Sequence, residues 1–138
     1  MPSTSEAAVL ALIDVLDGLA TVRRNEGLPT RIPEGGLIVV HDGNPGEPEI
    51  TLSPLTYHFE HSVDLDVFVQ EPDQDTVFDA LKVAIGSAIL ANRNLSGVVD
   101  WAEPMAPRAG NLPIEAAAPI RAATISVVLH YATTNPLN

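Results

Sequence analysis

The sequence contains no cysteine, so disulfides and thiolate metal sites are both excluded, and the redox compartment stays open. Aromatic residues make up only 4% of the chain, too few for the stacking platforms that bind single-stranded nucleic acid. Basic residues are equally scarce. Seven Lys and Arg stand against 18 Asp and Glu, a formal net charge of −11, and no basic stretch is denser than Arg23-Arg24. A protein that grips DNA phosphates needs a positive patch, and this sequence supplies none. No apolar run approaches the roughly 18 to 20 residues of a membrane span. The opening Met1-Pro2-Ser3-Thr4-Ser5-Glu6 lacks the basic start of a secretory signal, and Asp14 and Asp17 interrupt the apolar stretch behind it. The expectation is a soluble, cytoplasmic product.

What is present suits one domain spanning residues 1 to 138. Hydrophobic residues reach 46%, and a chain of this length buries a core without metal or disulfide support. Ser3 and Glu6 have the spacing of a capping box. Val9, Leu12, Ile13, Leu16 and Leu19 follow at helical intervals, which predicts an amphipathic helix over about residues 5 to 24, stopped by Asn25-Glu26-Gly27. Residues 27 to 36, with their prolines and glycines, read as an extended connector. Leu37 to His41 and Glu49 to Leu52 flank the turn-rich Asp42-Gly43-Asn44-Pro45-Gly46, which predicts a β-hairpin over about 36 to 53 with a projecting loop.

From Thr56 to Gln70 the pattern has period two. Tyr57, Phe59, His61, Val63, Leu65, Val67 and Val69 fall on one side, and His58, Glu60, Ser62, Asp64, Asp66, Phe68 and Gln70 on the other, as in a half-buried strand. After a turn at Glu71-Pro72-Asp73, the stripe Val77, Phe78, Leu81, Ile85, Ala88 and Ile89 predicts a second helix over about 75 to 92. Val98 to Trp101 reads as a short strand and 104 to 119 as a Pro-rich loop. A last strand over about 121 to 133 alternates Ala123, Ile125, Val127, Leu129 and Tyr131 with Thr124, Ser126, Val128 and His130. The expected fold class is α+β, a mostly antiparallel or mixed sheet with two main helices packed on one face.

Chemistry-bearing patterns are few. His58 and His61 are three apart on a strand and so face opposite ways, whereas a shared metal needs one face. His41 and His130 lie at strand ends. Glu60, Asp64 and Asp66 repeat along one strand face. Catalytic carboxylates require burial and a cleft to separate their pKa values, so the choice is between a solvated sheet face and an acidic channel lining. The glycines at 35, 36, 43 and 46 sit between strands with no Lys near, unlike a phosphate loop, and no serine occupies a nucleophile elbow. Trp101 suits either a subunit contact or its own core. No catalytic, metal-ligating or cofactor-binding set is expected, and no cofactor.

Four stretches together carry a resemblance: Pro33-Glu34-Gly35-Gly36-Leu37-Ile38-Val39-Val40-His41-Asp42-Gly43; Leu52-Ser53-Pro54-Leu55-Thr56-Tyr57; Asn94-Leu95-Ser96-Gly97-Val98-Val99-Asp100; and Ala116-Ala117-Ala118-Pro119-Ile120 followed by Val127-Val128-Leu129-His130-Tyr131. In this order they resemble the tail-terminator, or minor tail protein U-like, family of phages and prophages. The resemblance implies a non-enzymatic subunit that closes into a hexameric ring on the tail tube, stops its growth and presents the head-joining surface. It implies as partners other copies of the chain, the tail-tube protein and a head-completion or neck protein, with neither sequence-specific nucleic acid nor membrane. The implied location is the virion tail, reached from the host cytoplasm. Candidate interface residues are Leu37, Val39, His41, Ile50, Leu52 and Trp101, and candidate channel-facing acids are Glu60, Asp64 and Asp66. Another neck or head-completion component is the nearest alternative, and a small enzyme a more distant one.

Overall fold

The computed structural model describes residues 2 to 109 and 120 to 138. The latter part of the expected loop at 104 to 119, with the Ala116 to Pro119 stretch, lies outside them. Helix α1 spans Thr4–Leu16. Ser3 caps it, its Oγ accepting from the Glu6 N–H at 3.2 Å. Only half of the capping box forms, because the Glu6 carboxylate is taken by Arg24. Ala8, Val9, Leu12 and Leu16 are its buried stripe.

The helix stops well short of residue 24. Asp17 turns extended, Gly18 takes φ +92°, and the Leu19 N–H reaches the Leu16 carbonyl at 3.1 Å. This is a type II turn, whose third position requires positive φ and hence glycine. Beyond it Thr21–Arg24 forms strand β1, where a continuing helix was expected.

β1 pairs in parallel with β2, Leu37–His41. β3, Glu49–Leu52, precedes the fifteen-residue β4, Leu55–Val69. The hairpin expected over 36 to 53 does not form. β2 and β3 do not pair with each other; both lie antiparallel to β4, Leu37 opposite Phe68 and Glu49 opposite His58. The physical reason is length: β4 offers one long edge along which two short strands fit end to end. The actual reversal is at Ser53-Pro54, a cis peptide, between the paired residues Leu52 and Leu55. Residues 42 to 48 bridge the gap between β2 and β3. There Gly43, at φ +62°, passes so close that a Cβ on it would stand 2.4 Å from the Ser62 carbonyl oxygen. The expected projecting loop is, at that point, pressed against β4.

Helix α2, Gln74–Ala91, buries Phe78, Leu81, Ile85 and Ile89. The short strand expected at 98 to 101 sits slightly later, as β5, Trp101–Pro104. β6, Arg108–Ala109, and β7, Arg121–Thr133, complete the sheet. Its order is β1-β2-β4-β7-β5, with β3 on β4 and β6 on β7. β4 and β7 are the spine, antiparallel from Tyr57 opposite Thr133 to Val69 opposite Arg121. Every alternate residue of both, from Phe59 to Val69 and from Ala123 to Tyr131, is buried, and these meet both helices in one core. The fold is α+β, with the helices on one face of a mixed sheet. On the other face a small cluster closes over, Ile32 packing with Leu37, Val39 and Phe68.

Candidate functional site

The helix-free face carries the polar half of each period-two strand. At one end Asp64 accepts from the Ser126 hydroxyl at 2.6 Å, and Asp66 from Thr124 at 2.8 Å. The His41 Nε2 stands 2.9 Å from Asp66, and Arg108 approaches Asp64 at 3.7 Å. The cross-strand register sets these pairs, since Asp64 and Asp66 lie directly opposite Ser126 and Thr124. The three candidate acids therefore share a face without being equivalent. Glu60 has a side chain 79% exposed and Asp64 one 46% exposed, whereas Asp66 is only 20% exposed and is committed to its neighbours.

At the other end lies a cleft of about 460 Å³. Glu47, Glu49 and Thr51 form one side, His58 and Glu60 the floor, and Asp100, Trp101 and His130 the far side. Trp101 lies flat on His130, with ring centroids 3.9 Å apart and planes 16° from parallel. The His130 Nδ1 is 4.0 Å from Glu60, and Thr51 Oγ1 is 3.1 Å from the His58 ring. The surface is acidic with an aromatic flank, suited to a cation.

The candidate interface residues divide. Leu37 and Val39 are buried in the chain's own small cluster under Ile32, so neither offers a free surface. His41 is engaged by Asp66. Ile50 and Leu52 are exposed with Leu55, Leu52 by 78%, and Trp101 is exposed at the cleft. The histidines stay apart: His58 is exposed, His61 is buried on the helix side, and His41 and His130 are opposite Asp64 and Glu60 respectively. Among the described residues no three His, Asp or Glu are placed to hold a metal, and no helix is long and apolar enough to cross a membrane.

Two polar constructions were not apparent from residue spacing. The first joins α1, β1 and the bridge after β2. Arg24 Nη1 and Nη2 bond the Glu6 carboxylate at 2.8 and 2.6 Å, while Nε and Nη2 bond Asp42 at 2.8 and 2.7 Å. These forked, charge-assisted bonds are of the strong kind. Hydrogen bonding from Arg24 holds both carboxyls below the usual range, and the guanidinium is itself raised by its bonds to Glu6 and Asp42. The contribution is present above about pH 4, where the unfolded carboxyls are already ionised, and is lost as pH falls through the depressed folded values. Arg24→Met should cost about 1–2 kcal/mol at neutral pH and flatten the acid limb of stability. Thermal melts from pH 7 down to pH 3 check both; an unchanged acid limb would remove this account.

The second is the buried His61, whose Nε2 donates to the Asp42 carbonyl at 2.6 Å and whose Nδ1 stands 2.9 Å from the Tyr131 hydroxyl. With Nε2 holding the proton, Nδ1 accepts from the tyrosine. No protein-family model matches the chain, and no curated protein matches it either.

Proposed function

We propose that the chain is a structural subunit of a phage or prophage tail, a tail terminator that closes into a ring on the tube, halts its growth and presents the surface that joins the head. The observation that carries this reading is the tip of the β3–β4 hairpin. Ile50, Leu52 and Leu55 are exposed there together, and an exposed apolar group rimmed by polar residues marks a contact surface. The tip also runs past the last β4–β7 pair at Tyr57 and Thr133, so it reaches beyond the sheet.

The resemblance over residues 33 to 134 supplies the identity of the partners: copies of the chain, the tail-tube protein and a head-completion or neck protein. A ring needs two dissimilar patches per subunit that close by rotation. The apolar tip and the acidic cleft are dissimilar in that sense. If the helix-free face lines the bore, Asp64, with its side chain 46% exposed, faces the passing phosphates, while Asp66 keeps its place in the sheet.

Deleting the gene from a phage that carries it should leave tails of irregular, excessive length without capsids, and supplying the chain in trans should restore both. Negative-stain images of the lysate read the outcome. Uniform tails bearing heads would end the proposal, and headless tails of normal length would transfer the chain to the head-completion class.

A further inference from the structure

Six of the seven cationic side chains have a carboxylate facing them. Arg23 meets Glu26, Arg24 meets Glu6 and Asp42, Lys82 meets Asp79, Arg93 meets Glu103, Arg108 meets Asp64 and Arg121 meets Asp75. Among the described residues Arg31 alone has none, and it is exposed. It lines a shallow hollow with Arg23, Pro29, Thr30 and Pro33. Its neighbour Ile32 is buried against Leu37, Val39 and Phe68, so the segment holding the guanidinium is anchored to the sheet. In a chain of net charge −11, one uncompensated cation on an anchored loop stands out.

The cleft at the other end has the inverse character. Glu47, Glu49, Glu60 and Asp100 line it beside the Trp101–His130 stack, and among the described residues neither Lys nor Arg does. Carboxylates beside an aromatic face suit guanidinium, which donates forked hydrogen bonds in its plane and stacks through its flat side. One chain cannot bring the two together. Arg23, beside Arg31, is level with Asp66 through Val39, and Glu60 lies six positions away along β4, about 20 Å at strand rise.

We propose that Arg31, seconded by Arg23, docks into the Glu47, Glu49, Glu60, Asp100 and Trp101 cleft of a second copy of this chain. The inference rests on the reading of the protein as a self-assembling subunit and names the contact that reading lacks. Because donor and acceptor are separate patches, the contact is directional, and repetition closes a ring where the rotation allows.

The absence of native cysteine gives a clean test. Thr30→Cys and Thr51→Cys place thiols beside Arg31 and in the cleft while sparing every charge. Mild oxidation of the double variant at millimolar concentration, resolved by non-reducing electrophoresis, should give interchain disulfides. Adding Arg31→Glu should cut their yield at least about tenfold, as expected for reversing a directional charge contact. Mixing a Thr30→Cys/Arg31→Glu chain with a Thr51→Cys/Glu49→Lys/Glu60→Lys chain should restore the cross-link as a dimer of unlike chains. Circular dichroism melts of each variant establish that it is folded. No cross-link in the double variant, indifference to Arg31→Glu, or failure of the mixture to recover would each overturn the contact. The largest product separates this from the ring: a ladder ending at six chains supports both, and one ending at two keeps the contact while sinking the ring.

Discussion

Replacing Gly43 with alanine is expected to destabilise the protein by about 2–5 kcal/mol, against about 1 kcal/mol for the same change at Gly46. Both glycines sit in the bridge between β2 and β3 and both have positive φ, +62° and +77°. Their surroundings differ. A Cβ at Gly46 meets nothing within 4 Å, whereas one at Gly43 would stand 2.4 Å from the Ser62 carbonyl oxygen. That oxygen belongs to the middle of β4 and cannot yield without disturbing the β4–β7 spine, so the bridge itself must lift. Lifting it moves Asp42, which holds Arg24 through its side chain and His61 through its carbonyl. Urea melts of the two variants measure the difference, and equal losses would show that the close approach is immaterial.

His61→Phe is the second large effect, with an expected cost of about 2–4 kcal/mol. The ring volume is kept, but the Asp42 carbonyl loses its donor and the buried Tyr131 hydroxyl its acceptor, and each orphaned group costs about 1–3 kcal/mol. Tyr131→Phe alone should cost less, since it removes one hydroxyl and leaves the His61–Asp42 bond. The double variant should be milder than the sum of the singles, with a coupling of about 1 kcal/mol. Additive losses in a double-mutant cycle would dismiss the bond as a contributor. The same tyrosine governs the alkaline limit. Burial pushes its hydroxyl up to about 12 from an unfolded value near 10. Its contribution is therefore complete below about pH 10 and disappears as pH climbs to about 12. Absorbance of the phenolate during an alkaline titration should show Tyr131 ionising late, together with loss of structure; Tyr131→Phe should remove that step.

The parts of this fold legible in the residue pattern are those set by local periodicity. β4 and β7 show one face buried at every second position, so their limits and the residues they give to the helix-side core follow from alternation, whereas the burial of Phe68 on the opposite face does not. α2 is nearly as plain, because Phe78, Leu81, Ile85 and Ile89 form one unbroken stripe. The α1 start was readable from Ser3, but its end was hidden: Leu19 continues the helical spacing past Gly18, and only the positive φ at that glycine reveals the stop. Strand pairing was not legible. Leu37 to His41 and Glu49 to Leu52 read as partners because dense turn chemistry separates them, yet β4 outcompetes either for both. That decision is made between residues far apart in the chain, where spacing carries no information.

The candidate site divides along the same line. That Glu60, Asp64 and Asp66 share a face follows from period two. Their unequal exposure depends on Ser126, Thr124 and His41 arriving from other strands. Leu37 and Val39 looked available as interface residues because nothing in the connector at 27 to 36 signals that Ile32 folds back over them. Arg31 drew no notice as one of several arginines, and only the pairing of the other five and of Lys82 singles it out among the described residues.

Trp101 is the chain's only tryptophan, and it is exposed on β5, stacked on His130 outside the helix-side core. Its emission is consequently a local gauge. A fluorescence melt would follow the β5 rim and the imidazole beneath the indole while remaining nearly blind to α1, β1 and the interior. The same placement makes the indole a built-in optical sensor for anything that enters the acidic hollow, with no label attached.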